Sequence, residues 1–129
     1  MASDSAAWED DTLAHKAKKI YRLSDGSVAG IYGTLEHCMN LLRYIEDPTL
    51  KLNLQGASAI VVRPSLRVVA YNGTVAMPII RAKYLAAGSG MSVALGACFQ
   101  GATAVEAVKA AIAHDSGSRG PVVSMKVKK

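Results

Sequence analysis

Asp4 lies upstream of the pair Lys18-Lys19, and that pair opens the largely apolar run Ile20-Tyr21-Arg22-Leu23. A lysine held near a carboxylate and beside an apolar strand can have its proton affinity tuned, as the electrostatic partner of a nucleophile requires. The same residues also fit a surface aspartate and two solvated lysines. Gly30 and Gly33 leave backbone N–H groups at a strand end open to a developing oxyanion, because no side chain blocks the approach. Close packing on the following helix accounts for them as well. Gly88-Ser89-Gly90 falls between a strand pattern and a helix pattern, where its N–H groups and the Ser89 hydroxyl can face an anion. It also reads as a simple turn. Asp115-Ser116-Gly117-Ser118-Arg119-Gly120 offers an acid and hydroxyls for a hydrogen-bond network, or a loop that ends a helix.

Other chemistries lack their residues. The three histidines, His15, His37 and His114, stand in unrelated settings, and no Ser-His-Asp arrangement is apparent. His37 and His114 fall in helical patterns as solvated or helix-end residues. Gly88-Ser89-Gly90 lacks the lysine and spacing of a nucleotide-phosphate loop. Cys38 and Cys98 sit in apolar helical patterns without a His or Cys at ligand spacing, which predicts buried free thiols. No metal and no cofactor is expected.

The elements that must position these groups are legible in part. Ile20 to Leu23 and Val28 to Tyr32 flank an Asp25-Gly26 turn and predict a hairpin. Thr34 is placed to cap a helix that buries Leu35, Cys38, Leu41, Leu42 and Ile45 at three-and-four spacing and ends at Asp47-Pro48. Residues 57–62 and 66–71 predict a second hairpin, followed by an Asn72-Gly73 turn. Residues 83–87 read as a further strand. The Ala- and Gly-rich stretch 91–100 predicts a helix packed closely on both sides. Thr103 and Glu106 form a capping-box pattern that opens a helix with Val105, Val108, Ala111 and Ile112 inward. Residues 121–127 predict a final strand. This order has no βαβ alternation, so antiparallel sheets covered by helices, an α+β class, are expected.

With 129 residues and no linker or internal repeat, the chain reads as one domain over 1–129. Half of its residues are hydrophobic but only 5% are aromatic, so the core must come from Ala, Val, Leu and Ile. The net charge of +5 is dispersed except for Lys16–Lys19 and the tail Lys126-Val127-Lys128-Lys129. No aromatic residues interleave these clusters as stacking platforms, so nucleic acid is not an expected partner. No apolar run approaches the roughly 20 residues that cross a bilayer, and the acidic residues near the start do not resemble a signal sequence. The reading is a cytoplasmic protein with no membrane partner.

Taken together, the four patterns resemble the proteasome β-type family of N-terminal-nucleophile (Ntn) hydrolases, including bacterial and phage proteasome-like peptidases. The resemblance is carried by Lys18-Lys19-Ile20-Tyr21-Arg22-Leu23, by Ser27-Val28-Ala29-Gly30-Ile31-Tyr32-Gly33, by Ala86-Ala87-Gly88-Ser89-Gly90, and by Asp115, Ser118 and Gly120 before the last strand. It runs over essentially the whole chain. It implies a four-layer αββα sandwich of antiparallel sheets. It also implies that Lys19 lowers the nucleophile's proton affinity, that Asp4 pairs with Lys19, that Gly30 donates the oxyanion N–H, and that Ser89, Asp115 and Ser118 support the N-terminal amine. The family's nucleophile is an N-terminal threonine at the head of one more strand ahead of the Ala2-Ser3-Asp4 segment. No threonine holds that place, so the expectation is a sandwich with its first strand missing and a chain inactive by itself. Ser3 and Ser5 adjoin the carboxylate position and are poor stand-ins. Trp8 departs from the small hydroxyl residue that the family favours there. The resemblance further implies self-association, as a homo-oligomer and in the family's manner a ring, with a peptide or amide as substrate where a nucleophile is supplied. A non-catalytic relative that uses the sandwich for assembly or partner binding is the alternative.

Overall fold

A computed structural model describes the chain apart from residues 5, 10, 11, 81, 82, 128 and 129, with backbone alone at residues 6–9 and 12–16. In chain order the first elements are β1 (Ala2–Ser3), β2 (Ala6–Glu9), β3 (Thr12–Lys16), β4 (Ile20–Arg22), β5 (Val28–Gly33) and α1 (Leu35–Glu46). There follow β6 (Ala57–Val62), β7 (Val68–Asn72), β8 (Val75–Ile79), α2 (Met91–Phe99), α3 (Ala104–His114) and β9 (Val123–Ser124). Two compact units result: Met1–Ile20 with Ala82–Met125, and Tyr21–Arg81 with Lys126–Lys129.

The second unit is built on the five-stranded sheet β4-β5-β6-β7-β8. The pairs β5–β6, β6–β7 and β7–β8 are antiparallel, with Gly30 opposite Ile60 and Val61 opposite Val69. The Asp25-Gly26 turn closes as expected: the Leu23 N–H donates to Ser27 O and the Asp25 carboxylate accepts from Ser27 N–H. Helix α1 lays Cys38, Leu41 and Leu42 on this sheet. They join Leu23, Ala29, Ile31, Ala57, Ala59 and Val61 in a continuous core, with Leu35 and Ile45 partly buried against it. The apolar spacing of α1 was therefore a sound guide to its inner face. Burial pushes the Cys38 thiol up from its ordinary range, and its Sγ donates to Tyr32 O at 3.2 Å.

Several expectations in this unit need correction. Thr34 occupies the N-cap of α1 without a side-chain capping bond, and its backbone N–H donates instead to Gly56 O. Leu66 belongs to the turn, with φ 66°, and the strand starts at Val68. The following turn is shifted by one residue, because Asn72 still pairs with Val75. Strand β8 contains Pro78, which weakens any strand signal, yet it lies at the sheet edge, where a missing N–H is tolerated.

The first unit holds two short ladders, β1–β9 and β2–β3, both antiparallel, together with helices α2 and α3. The capping box of α3 is present: the Thr103 hydroxyl accepts from Glu106 N–H and the Glu106 carboxylate from Thr103 N–H. Its buried residues are Ala107 and Ala111, whereas Val105, Val108 and Ile112 are half-buried, so the inner stripe is narrower and smaller than expected. Helix α2 buries no residue, and Phe99 is 76% exposed. The expectation of close packing on both its sides fails: an apolar composition records a need for cover without saying what supplies it. Cys98 is accordingly half-buried while Cys38 is buried, and both are free.

Residues 83–87 form no strand, and Tyr84 and Leu85 are partly exposed without a pairing partner. The final strand shrinks to Val123–Ser124, the length over which β1 can pair with it. Among the described residues no helix is long and apolar enough to cross a membrane. Ser5, Lys128, Lys129 and the side chains of Trp8, His15 and Lys16 lie outside the described residues.

Candidate active site

Asp4 follows directly on β1, and the β1–β9 ladder fixes where it falls. Ala2 opposes Ser124 and Ser3 opposes Val123, and Met1 and Met125 exchange backbone bonds of 3.0 and 2.9 Å beyond the ladder. This register sets the Asp4 carboxylate beside the loop that precedes β9. Its Oδ2 accepts from the Arg119 backbone N–H at 2.9 Å, and its Oδ1 accepts from Lys19 Nζ at 2.7 Å. The ion pair is largely shielded, with side-chain exposures of 24% for Lys19 and 15% for Asp4. One carboxylate thus fixes the lysine ahead of β4 and ties it to the loop 115–120. Charge-assisted bonds of this length are among the stronger local restraints available to a partly buried group.

Ser89, Asp115 and Ser118 also meet. Asp115 closes α3 as its C-cap residue and turns its carboxylate toward the start of α2. Oδ2 accepts from Ser89 Oγ at 2.7 Å and from Ser118 Oγ at 2.8 Å, and the Gly117 N–H bonds the same carboxylate. The two hydroxyl donors, Ser89 first, hold the Asp115 carboxyl below its ordinary value of 3.8. Ser118 is buried although polar, and its bond to Asp115 satisfies it. Arg119, whose N–H reaches Asp4, is the next residue, so the two clusters share one loop.

Because the folded value of Asp115 is depressed, its contribution to stability is complete above 3.8 and is lost as pH falls through the folded value. Urea midpoints measured across this acid range should therefore fall more shallowly for Asp115→Asn than for the parent chain. Equal slopes would show that the network does not hold the ionised carboxylate.

Five of the six residues marked by sequence therefore fall into two bonded clusters: Asp4 with Lys19, and Ser89 with Asp115 and Ser118. Gly30 lies in β5, in the second unit, half-buried and opposite Ile60. Gly33, the other glycine of that strand, has its close approach accounted for by backbone: a Cβ there would collide with Gly56 O. Sequence reasoning missed the Arg119 N–H, since a main-chain donor has no residue-type signature. Among the described residues no group of His, Cys, Asp and Glu is arranged to hold a metal ion.

Comparison with solved structures places the fold in a class. The chain is similar to the structure of BPH from Thiobacillus denitrificans in complex with epoxomicin, with a TM-score of 0.66 and 20% identity over 99% of this chain and 92% of that one. It is similar to eukaryotic HslV from Trypanosoma brucei, with a TM-score of 0.74 and 19% identity over 95% of this chain and 88% of that one. Both are proteasome-like peptidases, and at these identities the likeness is one of fold. The chain has the α+β fold of the proteasome-like Ntn hydrolases. No protein-family model matches the sequence, and no curated protein does.

Proposed function

We propose that residues 1–129 form a proteasome-like Ntn-hydrolase domain of the threonine peptidase or amidohydrolase type, a four-layer αββα sandwich that carries the supporting part of the site. The observation that supports this reading most is the Asp4 carboxylate, with one oxygen on Lys19 and the other on the loop that bears Ser118. In such a site a threonine hydroxyl attacks the substrate carbonyl and passes its proton to the α-amino group of the same residue. Lys19 favours the alkoxide electrostatically, Asp4 fixes Lys19, and the Gly30 N–H accommodates the oxyanion. Ser89, Asp115 and Ser118 hold the amine in place. Residues 1 and 2 are Met and Ala, which offer no hydroxyl. Turnover of a peptide or amide therefore needs a threonine hydroxyl and amine supplied to these residues.

Two measurements test the reading. Where DNA upstream of the Met1 codon continues in frame and encodes a threonine-led apolar strand, a chain that includes it should cleave fluorogenic peptides from the exposed threonine. An in-frame stop without an intervening start would remove this reading of the nucleophile. Turnover by the 129-residue chain itself would equally contradict the supporting role assigned to it.

The second reading, a non-catalytic assembling relative in the cytoplasm, is favoured by exposed apolar side chains. Met91 and Phe99 on α2, and Val75 and Met77 on the edge strand β8, are 42%, 76%, 62% and 59% exposed. An uncovered edge strand also offers unpaired backbone groups to another chain. Light scattering should report self-association under either reading, and a monomer at every concentration counts against both.

A further inference from the structure

Asp115 holds two hydroxyls from two different segments, and a glycine of the opposite segment stands behind each. Gly117, in the loop, faces Ser89 of the α2 start. A Cβ on Gly117 would lie 2.5 Å from Ser89 Oγ and 3.2 Å from Ser89 Cβ. Gly90, at the α2 start, faces Ser118 of the loop, and a Cβ there would lie 2.9 Å from Ser118 Oγ and 2.8 Å from Ala111 Cβ. Neither glycine has a positive φ, so backbone conformation does not require glycine at either place. Space does. At 2.5 Å the Ser89 hydroxyl cannot keep its position, and its escape is a χ1 rotation that carries Oγ off the carboxylate. The same Cβ would lie 3.3 Å from Asp115 Oδ2, a milder crowding than the 2.5 Å approach to the Ser89 hydroxyl, and the Gly117 N–H is a third donor to that carboxylate.

We propose that Gly117 is a positioning residue, whose missing side chain seats the Ser89 hydroxyl on Asp115, with Gly90 doing the same for Ser118. The two glycines make a reciprocal key: each segment supplies one hydroxyl and the gap that the other segment's hydroxyl needs. The catalytic meaning of this key rests on the function proposed above, while the geometry stands without it. A methyl at 117 costs no strain of φ, so its first effect falls on Ser89.

The test reads the network directly, by carbon-detected NMR titration of the Asp115 carboxyl in Gly117→Ala, Ser89→Ala and the double variant. A hydroxyl that leaves the ionised carboxylate raises its titration midpoint. Both single variants are expected to raise the midpoint alike, and the double variant no further, since each removes the same bond. Ser116→Ala, on the exposed neighbour in the loop, should leave it in place. An unmoved midpoint in Gly117→Ala, or shifts that add in the double variant, would overturn the proposal. Should Gly117→Ala alone fail to fold, Ser89→Gly in the same chain is expected to restore folding by vacating the contested space. A chain that stays unfolded would also overturn it. No outcome depends on turnover, so failure here is distinct from failure of the hydrolase reading.

Discussion

Gly33→Ala is expected to lower the stability of the second unit by about 2–5 kcal/mol, combining the cost of a left-handed φ for an L-residue with that of an unrelieved overlap. Gly33 ends β5 with φ 106°, and its would-be Cβ falls on the Gly56 carbonyl oxygen. That oxygen is itself fixed, because it accepts the Thr34 N–H at 2.9 Å just ahead of α1. Neither side of the overlap is a movable side-chain end, so relief must come from shifting β5 against β6 or detaching the start of α1. Both moves disturb the core around Ala57, Ala29 and Cys38. A loss of this size consumes a large share of the 5–15 kcal/mol typical of a domain. Urea unfolding followed by circular dichroism should show a midpoint far below that of the parent. A midpoint within experimental scatter of it would mean that the junction tolerates displacement and that Gly33 is not needed there.

The second large effect is expected at Asp4. Asp4→Asn removes the charge that faces Lys19 and cannot present an acceptor in the same way to both Nζ and the Arg119 N–H. The expected loss is about 2 kcal/mol, the scale of a hydrogen bond to a charged partner. Lys19→Ala should cost less, about 1 kcal/mol or below, since the carboxylate keeps its bond to Arg119 and gains water. The order of the two is the diagnostic. If Lys19→Ala proves as damaging as Asp4→Asn, the link from Asp4 to the loop contributes nothing, and the carboxylate serves the lysine alone. Thermal unfolding of both variants and of the pair, read as a double-mutant cycle, separates these outcomes.

What the sequence revealed depended on whether a physical requirement leaves a mark on residue type. The Asp25-Gly26 turn, the inner stripe of α1 and the Thr103–Glu106 box each impose a residue at a set spacing, and each appears where the pattern put it. The candidate residues were marked less directly: an aspartate, a lysine and two serines equally suit a solvated surface, and it was the resemblance that joined Asp4 to Lys19 and Ser89 and Ser118 to Asp115, as their bonds now do. Three things left no mark. Ladders of two residues, such as β1–β9, are too short to show alternation. A backbone donor such as the Arg119 N–H belongs to every residue but proline. The fit of Gly117 against Ser89 pairs two positions far apart in sequence, and glycine alone does not say whether conformation or space demands it. Residues 83–87 show the opposite error: their composition suits a strand, but a strand also needs a neighbour to bond, and none is present among the described residues.

The uneven distribution of buried side chains reaches the candidate site. The nine-residue cluster around Leu41 belongs wholly to the second unit, whereas the buried apolar residues described in the first are Ile20, Ala107 and Ala111. Asp4, Lys19, Ser89, Asp115 and Ser118 all stand in the first unit, and the described bonds that join them are polar. Polar bonds answer to solvent composition in a way that a hydrocarbon core does not: salt screens an ion pair, and acid discharges a carboxylate. Ionic strength and acidity are therefore expected to act on the bonds among these five residues more than on the hydrocarbon contacts beneath α1, which would make the medium itself a control on their arrangement.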